Sequence, residues 1–496
     1  MIYRSLFAVI FLAVAAFVLW GAASAFEVAQ ERQVTYRYIA SALTPAPERD
    51  TLVTWEEPVQ TLVRSLTESD AKLIGKALVE AWQILAVSQE SGTTDILADR
   101  FTGVASKRAE QSVSDATLYG GRMIVLKQTA KPVFFHKDGS LFQAEVEMIV
   151  ARYLSKNGED LDTFTISREK GIATLLNESN GWRLFSYERR STSNLGTDKV
   201  AWSGSLQGLN YYPAETPWRD FWPRFDPALI WADFSLIKGL EANSVRIFLT
   251  RDAFIGKSAE DAEKNLISLL KIANAKGLTV IPTLFDLKQD FSLGTWADDA
   301  QYLERVLPIL SKSPAVSFID LKNEPDLDFK HHGKAKMLAW LKTVIAMSRL
   351  YAIDKSLTIG WSTADAAPLL ADELDVITYH DYAPIGGTFD RLAKVQSLID
   401  GAPVLITEIG DSTFEVTLGY PGSEGQQAER LGNRLDALKS ADGVFVWTLH
   451  DFPKVDGTVV GSSPWVKRLQ SAFGLLRADG TEKPAAQMLR NRFKGG

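Results

Sequence analysis

Two glutamates stand at the ends of short apolar runs, Glu324 after Val316 to Asn323 (VSFIDLKN) and Glu408 within Pro403 to Gly410 (PVLITEIG). Each reads as a carboxylate carried out of a buried β-strand. Where parallel strands close into a barrel, all their carboxyl ends face the same way, so two such groups far apart in the chain can share one pocket. Two carboxyl groups so placed can serve as a nucleophile and an acid/base.

Other polar and aromatic residues occupy equivalent places. Asn210 and Tyr211 follow one apolar run, Arg246 lies inside another, Asn323 precedes Glu324, His380 and Tyr382 follow a third, and Trp447 ends the last. Amides and hydroxyls hold sugar hydroxyls, and flat aromatic rings stack on sugar faces, so this set matches a carbohydrate site. Taken singly, each has a plainer reading as an ion-pair or core residue. Trp218, Trp222, Trp296, Trp361 and Trp465 fall in or beside expected loops, where each is either a sugar platform or core. His331-His332 has lysine neighbours and no H-E-x-x-H spacing, so it reads as a solvated turn, and no metal site or cofactor is expected. His136, beside a turn, reads as a hairpin residue.

These residues need elements that bring them together. Short apolar strands are predicted at Ser205–Asn210, Ser244–Leu249, Thr279–Leu284, Val316–Leu321, Leu357–Trp361, Asp375–Tyr379, Pro403–Thr407 and Gly443–Trp447. Helical periodicity lies between most of them, at Asp226–Gly239, Ala259–Lys276, Trp296–Ser311, Lys334–Tyr351, Phe389–Ile399 and Glu424–Ser440. Eight alternations with no Gly-rich phosphate loop predict a (β/α)8 TIM barrel over 196–496, an α/β fold, rather than a doubly wound sheet. Residues 200–496 are expected to keep the site by themselves.

The preceding block, 51–195, is predicted as a smaller α+β domain. Its helices are expected at Asp70–Val87 and from Thr93–Phe101 onward. Strands follow at Met123–Gln128, Val133–His136, Leu141–Ala151, Thr163–Arg168, Gly171–Leu176 and Trp182–Tyr187, separated by turn signals. Residues 27–50 read as an extended linker. Leu6 to Phe26 is uncharged, mostly apolar and preceded by Arg4, long enough to span a bilayer of about 30 Å. Residues 1–26 therefore read as a membrane anchor with the remainder facing the periplasm or exterior, the alternative being a signal peptide cleaved near Ala23-Ser24-Ala25, with secretion.

Composition narrows the partners. A net charge of −7 gives no basic footprint for nucleic acid, and the absence of cysteine removes disulfides, thiolate catalysis and cysteine-held metals. Hydrophobic content of 46% with 23% charged residues is that of a globular chain.

With these motifs in view, residues 205–492 resemble a glycoside hydrolase of clan A, nearest to family 5, the cellulase and mannanase family. The resemblance implies that Asn323-Glu324-Pro325 carries the acid/base and Thr407-Glu408-Ile409-Gly410 the nucleophile. It also implies that Gly208-Leu209-Asn210 is the strand-one motif, Arg246 the arginine beside the nucleophile, His380-Asp381-Tyr382 the strand-six motif, and Trp447 the floor of the −1 subsite. One departure stands out: many family members carry histidine after strand three, and here the chain reads Leu284-Phe285-Asp286. Residues 51–195 resemble the nuclear-transport-factor-2-like fold in their order of helices, then hairpin strands.

The expected activity is hydrolysis of a β-linked polysaccharide or oligosaccharide. A carboxyl separation of about 5–5.5 Å would imply retention of configuration, and one above about 6.5 Å inversion. Arg246 is expected to hold Glu408 ionised, while a less polar setting keeps Glu324 protonated. The alternatives are a transglycosidase and a non-catalytic carbohydrate-binding or exopolysaccharide-export component.

Overall fold

The computed structural model describes residues 53–494 apart from 180, 197, 353, 400, 415, 418 and 419. The expected anchor (1–26) and linker (27–50) lie outside the described residues. Among the described residues no helix is long and apolar enough to cross a membrane.

The N-terminal unit begins with a short strand, Val53–Trp55, and a helix, Glu68–Ser91, opened by a reciprocal capping box between Thr67 and Asp70. A second helix, Gly103–Tyr119, ends at Gly120, whose φ of 75° is left-handed. A β-carbon there would lie 1.8 Å from the Ser155 carbonyl oxygen, so only glycine fits. Four long strands follow as an antiparallel meander, Gly121–Phe135, Leu141–Leu154, Thr163–Glu178 and Gly181–Asn194, and Val53–Trp55 pairs parallel to the first of them.

Three local expectations change here. Thr93–Phe101 holds only a single turn, Leu97–Asp99, before the second helix starts. The predicted pairs Met123–Gln128 with Val133–His136, and Thr163–Arg168 with Gly171–Leu176, are each one strand. Irregular register near Pro132 and Gly171 lets those residues sit mid-strand, which is how a sheet accommodates them. His136 is exposed at the first hairpin and pairs with Asp138.

Eight parallel strands then close a barrel: Leu206–Asn210, Ser244–Phe248, Thr279–Thr283, Phe318–Asn323, Ser356–Trp361, Ile377–His380, Val404–Ile409 and Gly443–Val446. Gly443 pairs with Leu206, completing the ring. Leu206, Ile281, Phe318, Val376, Leu405 and Phe445 form an apolar cluster from the barrel's strands and the residue leading into strand six. That leaves the carboxyl ends of the strands for polar side chains.

The two units share apolar core. One face of the meander is covered by its own helices, while Ile124, Leu126, Ile149, Ala151, Tyr153 and Ile166 are buried in the same cluster as the barrel helices. Tyr153 stacks on Trp296, with ring centroids 6.0 Å apart and planes at 16°.

Candidate active site

The site is built on strand parity. Successive side chains of a strand alternate between faces, so in strand four Asp320 and Lys322 share the face that leads to Glu324. Asp320 is completely buried and accepts from Arg246 Nε (3.1 Å) and Nη2 (2.7 Å), Thr283 Oγ1 (2.9 Å) and the Gly360 amide (2.8 Å). Arg246, on strand two, is thereby fixed in the barrel interior. Its Nη1 donates to Glu408 Oε1 at 2.6 Å and Asn210 Oδ1 at 2.9 Å, and its Nη2 to Asn323 Oδ1 at 2.8 Å.

Glu408 is held on its second oxygen as well, where Tyr382 donates its hydroxyl at 2.9 Å. Although 42% of Tyr382 is exposed, its hydroxyl end turns inward. Burial of that end, followed by the charge of Glu408, pushes the phenol well above its ordinary range. Glu324 has φ 47° and ψ 51°, a left-handed conformation that is rare for a residue with a side chain and recurs at functional sites. Its amide donates to Gly360 O at 2.7 Å, and its carboxylate Oε1 lies 2.8 Å from His380 Nδ1. The other nitrogen of His380 lies 3.7 Å from Glu408 Oε1.

The imidazole thus stands between the two glutamates, and the ligating atoms of all three residues lie within 4.8 Å of one another. By distance alone they could hold a metal ion. Arg246 already occupies Glu408 Oε1, so an entering dication would meet a buried cation, and the arrangement suits proton transfer better than metal binding.

The structure alters one electrostatic expectation. Burial does oppose ionisation of Glu324, as the sequence suggested. The hydrogen bond from His380 and the charges of His380, Arg246 and Lys322 outweigh it and hold the carboxyl below its ordinary value. Asp286 is raised instead, because burial outweighs the Tyr212 hydrogen bond and the nearby cations Lys322 and Arg246, and burial likewise raises Asp328 against Lys322.

A cavity of about 710 Å³ opens over this network, with Asn323, Glu324, Tyr382, Glu408 and Trp447 on its lining. Trp447 is 9% exposed and packs against Phe248, Tyr212 and Phe452. Asn210 lies beneath the cavity, donating to Thr407 O and accepting from Arg246. Tyr211 faces away: it is fully buried among Phe221 and Phe234 and donates to Asp233 at 2.8 Å. Its neighbour Tyr212 lines the cavity and donates to Asp286. Parity could have found it, because Tyr212 and the inward Asn210 are two residues apart. Lys322 and Asp286 also line the cavity, and Asp286 belongs to the stretch Leu284-Phe285-Asp286 that departs from the family pattern.

Of the five tryptophans, Trp218 lines the cavity and Trp465 is 62% exposed, stacked on the cavity-lining Phe414. Trp222, Trp296 and Trp361 are core. His331 is exposed, and His332 packs edge-on against Phe291 in the short helix Phe329–His332. Burial pushes His332 down to about 4.

No protein-family model matches the chain, and no curated protein matches it. Solved structures do. An exo-β-1,4-mannosidase from Opitutaceae bacterium strain TAV5 superposes with TM-score 0.50 at 20% identity, over 60% of this chain and 62% of that one. The likeness is one of fold, a parallel eight-stranded barrel. A GH5_18 protein from Streptomyces cattleya in complex with GlcNAc matches at 19% identity and TM-score 0.48, covering 60% of this chain and 81% of that one. A GH2 β-galacturonidase from Eisenbergiella tayi matches at 14% identity and TM-score 0.46, covering 75% and 72%.

Proposed function

We propose that this chain is a retaining glycoside hydrolase acting on a β-linked polysaccharide or oligosaccharide, with Glu408 as nucleophile and Glu324 as acid/base. The observation that carries the reading is the approach of the two carboxylates, whose oxygens come within 4.8 Å of each other. An approach this close between the nearest oxygens favours the short carboxyl separation of a double displacement, about 5–5.5 Å, over the wider gap that inversion keeps for a water.

In the first step Glu408 Oε2 or Oε1 attacks the anomeric carbon, the glycosidic C–O bond breaks, and Glu324 delivers a proton to the departing oxygen. Arg246 and Tyr382 aim the nucleophile. A bound glycan displaces water from the cavity and deepens the burial of Glu324, the influence that already favours its protonated form. In the second step Glu324 takes a proton from water, which attacks the glycosyl ester and frees Glu408. Asn323, Trp447, Tyr212 and Asp286 line the space the sugar would occupy. The apolar run Leu6–Phe26 supports membrane attachment with this unit on the periplasmic or outer side.

The test is a panel of β-linked oligosaccharides and 2,4-dinitrophenyl glycosides. Glu408→Ala should abolish turnover of all of them. Glu324→Ala should lower kcat/KM for the oligosaccharides by about 10²–10⁴-fold and spare kcat/KM for the dinitrophenyl substrates, whose leaving group needs no proton, while their kcat falls because the second step has lost its base. Hydrolysis that survives both changes, or an inverted first-formed anomer, would sink the reading.

A further inference from the structure

Two loops make one side of the cavity. The segment after strand three contributes Asp286, Leu287, Lys288 and Gln289, and the segment after strand four contributes Leu327 and Asp328 beyond Glu324. Each loop runs into a helix, Trp296–Ser311 and Lys334–Tyr351, and the approaches to both helices are held by the N-terminal unit.

The central contact is Glu90, near the end of the helix Glu68–Ser91. One carboxylate oxygen accepts from the Leu293 amide at 3.0 Å and the other from Lys336 Nζ at 2.9 Å, so a single side chain holds the strand-three loop and the first turn of the helix into which the strand-four loop runs. Around it, Gly158 O accepts from the Ala335 amide at 3.1 Å, and Val87 packs so closely on Gly294 that an added β-carbon would lie 3.1 Å away.

The strand-three loop needs such support. Phe285 has φ 51° and Leu287 φ 59°, so the residues on either side of Asp286 are both left-handed. Each such residue is strained and persists only where its surroundings over-determine it. The barrel supplies part of that restraint through Asp286 and Tyr212, and the N-terminal unit closes the far end of the same segment.

We infer that the N-terminal unit is a working part of this site and that Glu90 is a positioning residue, setting the loops after strands three and four that shape one side of the cavity. The functional meaning rests on the cavity being the reactive site, as proposed above. The isolated barrel would then keep its two glutamates and lose the shape of the pocket beside them.

The test is hydrogen exchange on the full chain without substrate, so its failure is separable from failure of the glycosidase reading. Lys127 provides the control, because it joins the same two units through Glu304 and Tyr351, farther along the two helices. Glu90→Ala should speed exchange about tenfold or more over 286–295 and 325–336 while strands seven and eight stay protected. Glu90→Gln keeps an oxygen for the Leu293 amide and should restore protection over 286–295. Lys127→Ala should leave both loops as they are. Unchanged loops in Glu90→Ala, a Gln variant that behaves like Ala, or the same loop response in Lys127→Ala would each overturn the inference.

Discussion

Arg246 meets Glu408 at 2.6 Å while the rest of its guanidinium is locked onto Asp320, Asn210 and Asn323. The nucleophile candidate is therefore aimed by a side chain that is itself completely buried. Burial works against the charged guanidinium, yet the two carboxylates outweigh it and raise its value further.

Arg246→Ala would leave Asp320 and Glu408 as uncompensated buried acids, at a cost of about 3–5 kcal/mol. Arg246→Lys keeps a charge but not the planar fork, so it should fold better and still lose most activity. Thermal unfolding and steady-state kinetics on both variants separate the two effects.

Tyr382→Phe removes one hydrogen bond to the Glu408 carboxylate and leaves the exposed part of the ring in place. A bond to a charged group contributes about 1.5–3 kcal/mol, so activity should fall roughly 10- to 100-fold. The melting temperature should fall by only a few degrees, as the loss of that one bond requires. A large loss of stability would mean that the ring is a packing residue.

His380→Asn tests the coupling to Glu324. The hydrogen bond and charge of His380 hold that carboxyl below its ordinary value, so their removal moves it upward and it stays protonated to higher pH. Because the proposed first step needs Glu324 as a protonated acid, the alkaline limb of kcat/KM should shift to higher pH. A limb that stays put, or moves down, contradicts the assignment.

Gly360→Ala probes how tightly the network is packed. A β-carbon there would lie 2.9 Å from Asp320 Oδ2, 3.0 Å from Arg246 Nη2 and 3.3 Å from His380 Nε2. Overpacking of this kind costs about 1–3 kcal/mol, and here the atoms that must give way orient both glutamates. Activity should therefore drop by more than the stability loss accounts for, as measured by denaturant unfolding alongside kinetics.

Much of this molecule was legible in the chain. Barrel strands are buried on both faces and so appear as apolar runs, which is why all eight were found within a few residues of their observed limits. The helices Ala259–Lys276, Trp296–Ser311 and Lys334–Tyr351 lie where periodicity predicted them, two of them bordered by glycines at 277 and 333. The N-terminal meander was harder, since Pro132 and Gly171 look like strand breakers and sit in irregular register within continuous strands.

The amino-acid sequence by itself determined the eight strand ends and the residue types they carry, Glu324 and Glu408 among them, because local periodicity and composition encode strands and their termini. Tertiary structure decided that Tyr212 rather than Tyr211 reaches the cavity and that Glu324 is bound by His380. It also decided that Asp286 is a carboxyl raised by burial and that Glu90, far away in the chain, holds the loop after strand three and the start of the helix that follows the loop after strand four. Those facts depend on distances between segments remote in sequence and on how much water each group loses, and neither quantity has a local signature.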